Sequence, residues 1–261
     1  MFGKTKKLKQ TISELQFMLS EKNKELEQLK KSVSIQNVLP TGYKLEGNNN
    51  KIIIVENGHE RELKKDEKIP GLRIYWKSSN SIAKIHFPIK FLDCLLYISA
   101  DNCYFEICSS KHVIDWHTEF CLTCKGSKII IGENLSTGQN CLFGGFSSEN
   151  LTITIGNDCM FSKNVIIRSA DGHTIFNPQT NEVLNSGSDT CIGNHVWIGQ
   201  GVSVAKGSHV PDNCIVGEKS LICKNFSKPG CILGGVPAKV LKEKVNWSRL
   251  NEPDFLKQSK K

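Results

Sequence analysis

The strongest constraint on what this chain can fold into is a six-residue period. Every sixth position gives Ile155, Phe161 and Ile167 and then, after an interruption, Ile192, Ile198, Val204, Val210, Val216 and Ile222. A small or turn-forming residue often follows, as at Gly156, Ser162, Gly193, Gly199, Ala205, Pro211 and Gly217. A second inward-capable residue comes four places after the aliphatic, at Val165, Val196, Val202, Ser208, Cys214 and Ser220. No helix stripe has this period. One short strand and one turn per repeat do, stacked as rungs of a parallel β-helix with the aliphatic inside and the small residue relieving the corner. The same spacing in Ile131-Gly132-Glu133-Asn134-Leu135 places irregular coils ahead of the regular ones, and the expected β-helix covers 82–241.

The flanks read differently. From Leu8 the apolar residues step by four and three through Ile12, Leu15, Leu19, Lys22, Leu26, Leu29 and Val33, a heptad seam with one lysine in its core. This predicts a coiled-coil helix over 1–38 that oligomerises, with a lone amphipathic helix packed on its own domain as the alternative. Pro40-Thr41-Gly42 ends it, and residues 39–81 read as a linker with short β-type runs such as KIIIV and LRIYW. Residues 242–261 form a basic tail.

Composition narrows the function classes. With 39% hydrophobic and 23% charged residues the chain is an ordinary globular protein, and no apolar run reaches the roughly eighteen residues of a membrane span. MFGKTKKLKQ is not a signal-peptide core, so a cytoplasmic protein without a transmembrane segment is expected. Eleven cysteines lack a disulfide framework, and Cys121 and Cys124 have no second pair to complete a zinc site. They read as reduced core or turn residues, with no metal expected. The net charge of +8 comes without nucleic-acid motifs, which argues against nucleic acid and leaves an anionic polymer or cofactor phosphates as partners.

The repeats resemble the hexapeptide-repeat acyltransferases, in particular the branch that O-acetylates sugars and the polysaccharides of capsule and lipopolysaccharide. The matching stretches are ITIGNDCMFSKNVIIRSADGH, CIGNHVWIGQGVSV, HVPDNCIVGEKSLICKNF and GGVPAKVLK. The resemblance implies a left-handed parallel β-helix, acetyl-CoA as donor, and a homotrimer with active sites between subunits. It also implies a carbohydrate acceptor, with sialic-acid or other anionic polymers consistent with the basic charge. A place beside capsule or lipopolysaccharide assembly would follow.

The same resemblance gives the interruption a purpose. A smooth prism offers only flat walls, so a cleft needs a protruding loop, here Asp171 to about Ser188. By resemblance SADGH places the catalytic base at His173, with Asp171 beside it at the acceptor. A histidine titrates near cellular pH, which suits it to accept a proton from a sugar hydroxyl. Trp197 should face outward and wall the thioester channel, as a catalytic and donor-binding residue; a tryptophan at a subunit interface is the plain alternative. Gly199, Gln200, Gly217 and Glu218 would border the pantetheine, and Lys224, Lys239 and Lys242 would meet the CoA phosphates. Glu218 departs from the small residue usual in the family, and a carboxylate beside an anionic donor is unexpected.

Other readings remain beside this one. An N-acetyltransferase of an amino sugar nucleotide uses the same histidine and differs in its product. A non-catalytic trimeric interaction module would neither bind nor hydrolyse acetyl-CoA. His173, His195 and His209 invite comparison with zinc-holding carbonic anhydrases of the same β-helix class, but their spacing does not match that site. Serine acetyltransferase would need a helical N-terminal domain that the β-type runs after residue 50 do not supply.

Overall fold

A computed structural model of the chain describes residues 43–64 and 66–258. The heptad segment expected to form a coiled coil over 1–38 lies outside the described residues. Strands follow one another around a three-sided coil, and each pairs with the strand one full turn along the chain. The first face stacks Tyr43–Glu46, Leu72–Lys77, Cys94–Ile98, Glu119–Leu122, Leu142–Gly144, Ile166–Ile167, Ser203–Val204 and Leu221–Ile222. The second stacks Lys51–Glu56, Ile82–His86, Tyr104–Ile107, Lys128–Ile131, Thr152–Ile155, Thr190–Ile192 and His209–Val210. The third runs from Ser136–Thr137 through Met160–Phe161, Trp197–Ile198 and Ile215–Val216 to Cys231–Gly235. These rungs pair in parallel, with antiparallel strands His59–Glu62 and Ala238–Glu243 at opposite ends of the second and third faces. The result is a parallel β-helix.

Register follows the six-residue period. Ile155 pairs with Ile192 and Ile192 with Val210; Phe161 with Ile198 and Ile198 with Val216; Ile167 with Val204 and Val204 with Ile222. Each of these side chains is buried, so the aliphatics form three interior columns. Phe120, Phe143 and Phe161 add an aromatic stack inside, with centroid separations of 5.2 and 5.8 Å. Cys159 and Cys214 are fully buried where a small apolar residue is needed, and all eleven cysteines are free. Burial pushes the Cys159 thiol up to about 12, which keeps it protonated and inert.

The corner is made by two positions rather than one. Rungs lie about 4.8 Å apart, and the residue directly after the aliphatic is crowded by the rung above. A Cβ on Gly156 would stand 2.7 Å from the carbonyl carbon of Gly193, and one on Gly199 would stand 2.8 Å from the amide nitrogen of Glu218. The left-handed backbone comes two residues later, where Asn134, Asn164 and Asn213 have φ of 59°, 58° and 58°. Asparagine tolerates that region through its short polar side chain.

Parallel pairing starts earlier than the expected boundary at 82. Lys51–Glu56 already pairs with Ile82–His86, and Tyr43–Glu46 with Leu72–Lys77. The short strands expected within 39–81 are present in residues 43–64 and 66–81, where they pair as opening coils. Their strands are long, with alternate burial as in Leu72, Ile74 and Trp76, so period two hides the period of six. No helix among the described residues is long and apolar enough to cross a membrane.

The interior stack makes a direct test. Phe143→Ala should destabilise the domain by about 3–5 kcal/mol in urea unfolding, and a loss no greater than a surface substitution produces would contradict this packing.

Candidate active site

Among the described residues the longest segment between strands leaves after Ile167 at the junction of the first and second faces and returns at Thr190. The excursion closes into a small hairpin: Phe176 and Val183 bridge antiparallel, Asn177 N donates to Glu182 O (2.8 Å), and Leu184 N donates to Ile175 O (2.8 Å). Ile175, Phe176, Val183 and Leu184 all stand exposed along its paired stem. Its root is braced to the same corner on neighbouring rungs. Gly172 N donates to Ser147 Oγ (3.2 Å) below, and Lys206 from the next rung forms an ion pair with Asp171 and donates to Asn185 O (2.7 Å).

Asn185 ties this root together. Its Nδ2 donates to Asp171 Oδ2 (3.0 Å) and to the backbone carbonyl of His173 (2.8 Å), and its Oδ1 accepts from Ile175 N (2.6 Å). The Lys206 ammonium, joined by Asn185 and outweighing desolvation, holds the Asp171 carboxyl below the usual carboxylate range. Asp171, expected at the acceptor, is engaged in bracing the loop. Gly172, at φ 98° with nothing near its missing side chain, turns the chain so that His173 points into solvent. The His173 imidazole is exposed and makes no hydrogen bond within the described residues. Its backbone is fixed and its ring is open to a ligand.

A second constellation lies on the third face, around an open groove of about 620 Å³. Trp197, Gly199, Gln200, Gly217 and Glu218 line it together. Trp197 begins the strand Trp197–Ile198 with its side chain outward, 37% exposed, while Ile198 is buried. Gly138, Ser162 and Lys163 complete the groove from lower rungs and were not singled out in the sequence. The signal for Lys163 was there: it sits two places after Phe161, as Gln200 does after Ile198 and Glu218 after Val216. Backbone bonds stack this edge, with Gly201 N donating to Lys163 O and Lys219 N to Gln200 O. A cation therefore stands two rungs from the unexpected Glu218.

The expected phosphate-binding lysines do not line the groove. Lys239 and Lys242 are exposed on Ala238–Glu243, at the far edge of the same sheet. Lys224 stands apart in the turn after the first-face strand Leu221–Ile222, its ammonium 5.1 Å from the centre of the Phe226 ring.

The tail contributes residues that local sequence patterns missed. Beyond Glu243 the chain runs back along the corner between the second and third faces. There the Trp247 ring stacks on His195 (centroids 4.3 Å, interplanar 10°), and its Nε1 donates to His195 O (2.8 Å). His195 Nδ1 contacts Asp158 Oδ2 (2.7 Å) and its Nε2 contacts Trp247 O (3.1 Å). Arg249 reaches further down, with Nε on Asp158 Oδ1 (3.2 Å), Nη1 on Ser136 Oγ (2.7 Å), and Nη2 on the carbonyls of Cys159 (3.0 Å) and Asn134 (3.2 Å). Burial pushes the Asp158 carboxyl up, but the hydrogen bonds from His195 and Arg249 prevail and hold it below its usual range. Both ring nitrogens of His195 are thereby engaged, and no group of three metal-ligating side chains is found among the described residues.

Apart from Lys224, Lys239 and Lys242, the expected site residues fall within one chain into two sets. Asp171 and His173 belong to the corner between the first and second faces; Trp197, Gly199, Gln200, Gly217 and Glu218 belong to the third. Every tie of the loop root runs to its own corner, through Ser147, Ser148, Lys206 and Gly207.

In sequence the chain is similar to polysialic acid O-acetyltransferases. It is 32% identical over 139 residues to that of Escherichia coli O1:K1 / APEC, covering 52% of this chain and 43% of the relative. It is 41% identical over 102 residues to that of Neisseria meningitidis, covering 39% and 47%. The galactoside O-acetyltransferase of Escherichia coli strain K12 is 32% identical over 122 residues, covering 45% of this chain and 55% of that one. The chain thus spans about half the length of the curated relatives it matches. In three dimensions it shares the fold of the polySia specific acetyltransferase NeuO, with a TM-score of 0.68 and 23% identity over 84% of this chain and 97% of that one. No family model matches. The expected resemblance to sugar and capsule O-acetyltransferases stands on these relatives.

The bracing of the loop gives a local test. Asn185→Ala should speed limited proteolysis between residues 171 and 188 while leaving the thermal midpoint of the prism nearly unchanged. An equal cleavage rate would show that Asn185 does not hold the root.

Proposed function

We propose that the chain is an acetyl-CoA-dependent O-acetyltransferase acting on a sugar hydroxyl of a bacterial surface polysaccharide, with a sialic-acid polymer as the first acceptor to test. The proposed enzyme is a homotrimer in which the His173 loop of one copy meets the Trp197 groove of its neighbour. One observation carries this reading: an exposed imidazole and a groove large enough for a substrate arm lie on different sides of one prism. Neither is a site alone, and a second copy supplies what each lacks. The exposed apolar stem of the loop supports the same arrangement, because four such side chains in one hairpin suit a protein neighbour better than water.

The groove fits a CoA arm in its chemistry. Trp197 and Ile215 give it an apolar wall, Gly199 and Gly217 leave backbone bare along its floor, and Lys163 provides a cation. Lys239 and Lys242, exposed at the far edge of the sheet, would take the phosphates as point charges. Acetyl-CoA supplies an activated acetyl group as a thioester. His173 accepts the proton of the acceptor hydroxyl at a ring nitrogen, which makes the oxygen a better nucleophile for that acetyl carbon; as the new C–O bond forms the thioester C–S bond would break, and the protonated imidazole would return its proton to the departing CoA sulfur. Gly172 and Asn185 hold the loop so that the ring projects, and Asp171 with Lys206 braces it. The net charge of +8 would raise the encounter rate with an anionic polymer. The proposed place of action is cytoplasmic, beside the capsule or lipopolysaccharide assembly machinery.

The test is incubation with isotopically labelled acetyl-CoA and a panel of capsule and lipopolysaccharide glycans, followed by NMR of the product. A sugar ester is expected. An amide instead would make the enzyme an N-acetyltransferase, and a trimer that neither binds nor turns over acetyl-CoA would make it an interaction module. His173→Ala should retain the trimer and CoA binding while turnover falls at least about 10²-fold; undiminished turnover would remove His173 as the base.

A further inference from the structure

We infer that Trp247 and Arg249 are positioning residues for the groove: the tail is a strap that sets Trp197, and so sets how tightly the groove holds a CoA arm. This rests on the reading of that groove as the donor site. Trp197 is a large side chain on an open wall. Along its column it has Met160 on one side and Ile215 on the other, and its aromatic neighbour is Trp247, at 6.2 Å between centroids and 49° between planes. Tilted pairs at this separation are attractive beyond the area they bury.

Trp247 is held far more firmly than the outward indole it touches. His195 covers one face at 4.3 Å, the Arg249 guanidinium lies 5.5 Å from the ring centre, and the indole N–H is bonded to His195 O. Arg249 in turn ties the strap to two successive rungs, through Asn134 and Ser136 and then Asp158 and Cys159, while Trp247 holds it to His195 on the next. These bonds are partly buried, so water competes poorly for them. Arg249 alone would suffice to fasten a tail. The indole goes further, meeting Trp197 at the rim of the groove, where its packing limits the orientations open to that ring. Trp247 and Arg249 do not themselves line the groove, so the strap acts on it through Trp197.

The test compares wild type with Trp247→Ala, Trp247→Leu and Trp247→Phe. Binding of CoA is measured by isothermal titration calorimetry, and KM for acetyl-CoA and kcat by turnover. In Trp247→Ala the CoA Kd and the KM should rise about three- to tenfold, the range an aromatic pair is worth, with kcat at saturating donor little changed. Trp247→Phe, which keeps a ring against Trp197, should restore most of the affinity. If the alanine variant does not assemble, Trp247→Leu keeps more apolar volume than alanine without an aromatic face and should show the same weakening. Unchanged CoA affinity in a folded, assembled Ala or Leu variant overturns the inference and leaves the strap a staple. A wild type that does not bind CoA sinks the donor reading itself, and this inference with it.

Discussion

Parallel hydrogen bonding of each strand to its counterpart one coil along is the interaction on which everything else depends. It locks the rungs in register, so that a place in the hexad becomes a column on the prism. Each column then has one physical task. The aliphatic column fills the interior; the residue after it must be small because the next rung crowds it. The residue two after the aliphatic gives Lys163, Gln200 and Glu218, one edge of the groove. The residue three after it takes the left-handed backbone, as at Asp158, Asn164, His195 and Asn213. A groove is thus built from residues far apart in the chain without any local motif spanning it.

That logic explains which parts of the molecule were legible in the sequence. The interior columns from Ile155 to Ile222 were, because burial repeats with the chain's own period. So was the loop, which is conspicuous as a break in that period. The opening coils were not, since strands such as Leu72–Lys77 are long enough for alternation to mask six-residue spacing. Trp247 and Arg249 were also out of reach. Arg249 meets Ser136 across 113 residues of chain, and a contact of that kind leaves no periodic trace. Lys163 was readable in hindsight from its hexad place.

The division of the candidate residues between two sides of the prism is the result with most bearing on mechanism. A stiff wall cannot fold its own corner onto its own face, and the root of the His173 loop is fastened to that corner from above and below. The proposed catalytic unit is therefore a pair of copies, and assembly becomes a condition for chemistry. The heptad segment over 1–38, outside the described residues, would raise the local concentration of such copies if it joins them as proposed.

Subunit complementation addresses this claim most directly. His173→Ala and Trp197→Ala are each purified as inactive proteins, dissociated, mixed and reassembled, and acetyl transfer is then measured against the unmixed controls. Mixed assemblies contain interfaces in which an intact His173 faces an intact Trp197 groove, so the account predicts that activity returns. Mixed assemblies as inactive as their parents would mean that both residues must come from one chain, and the shared site would have to be given up.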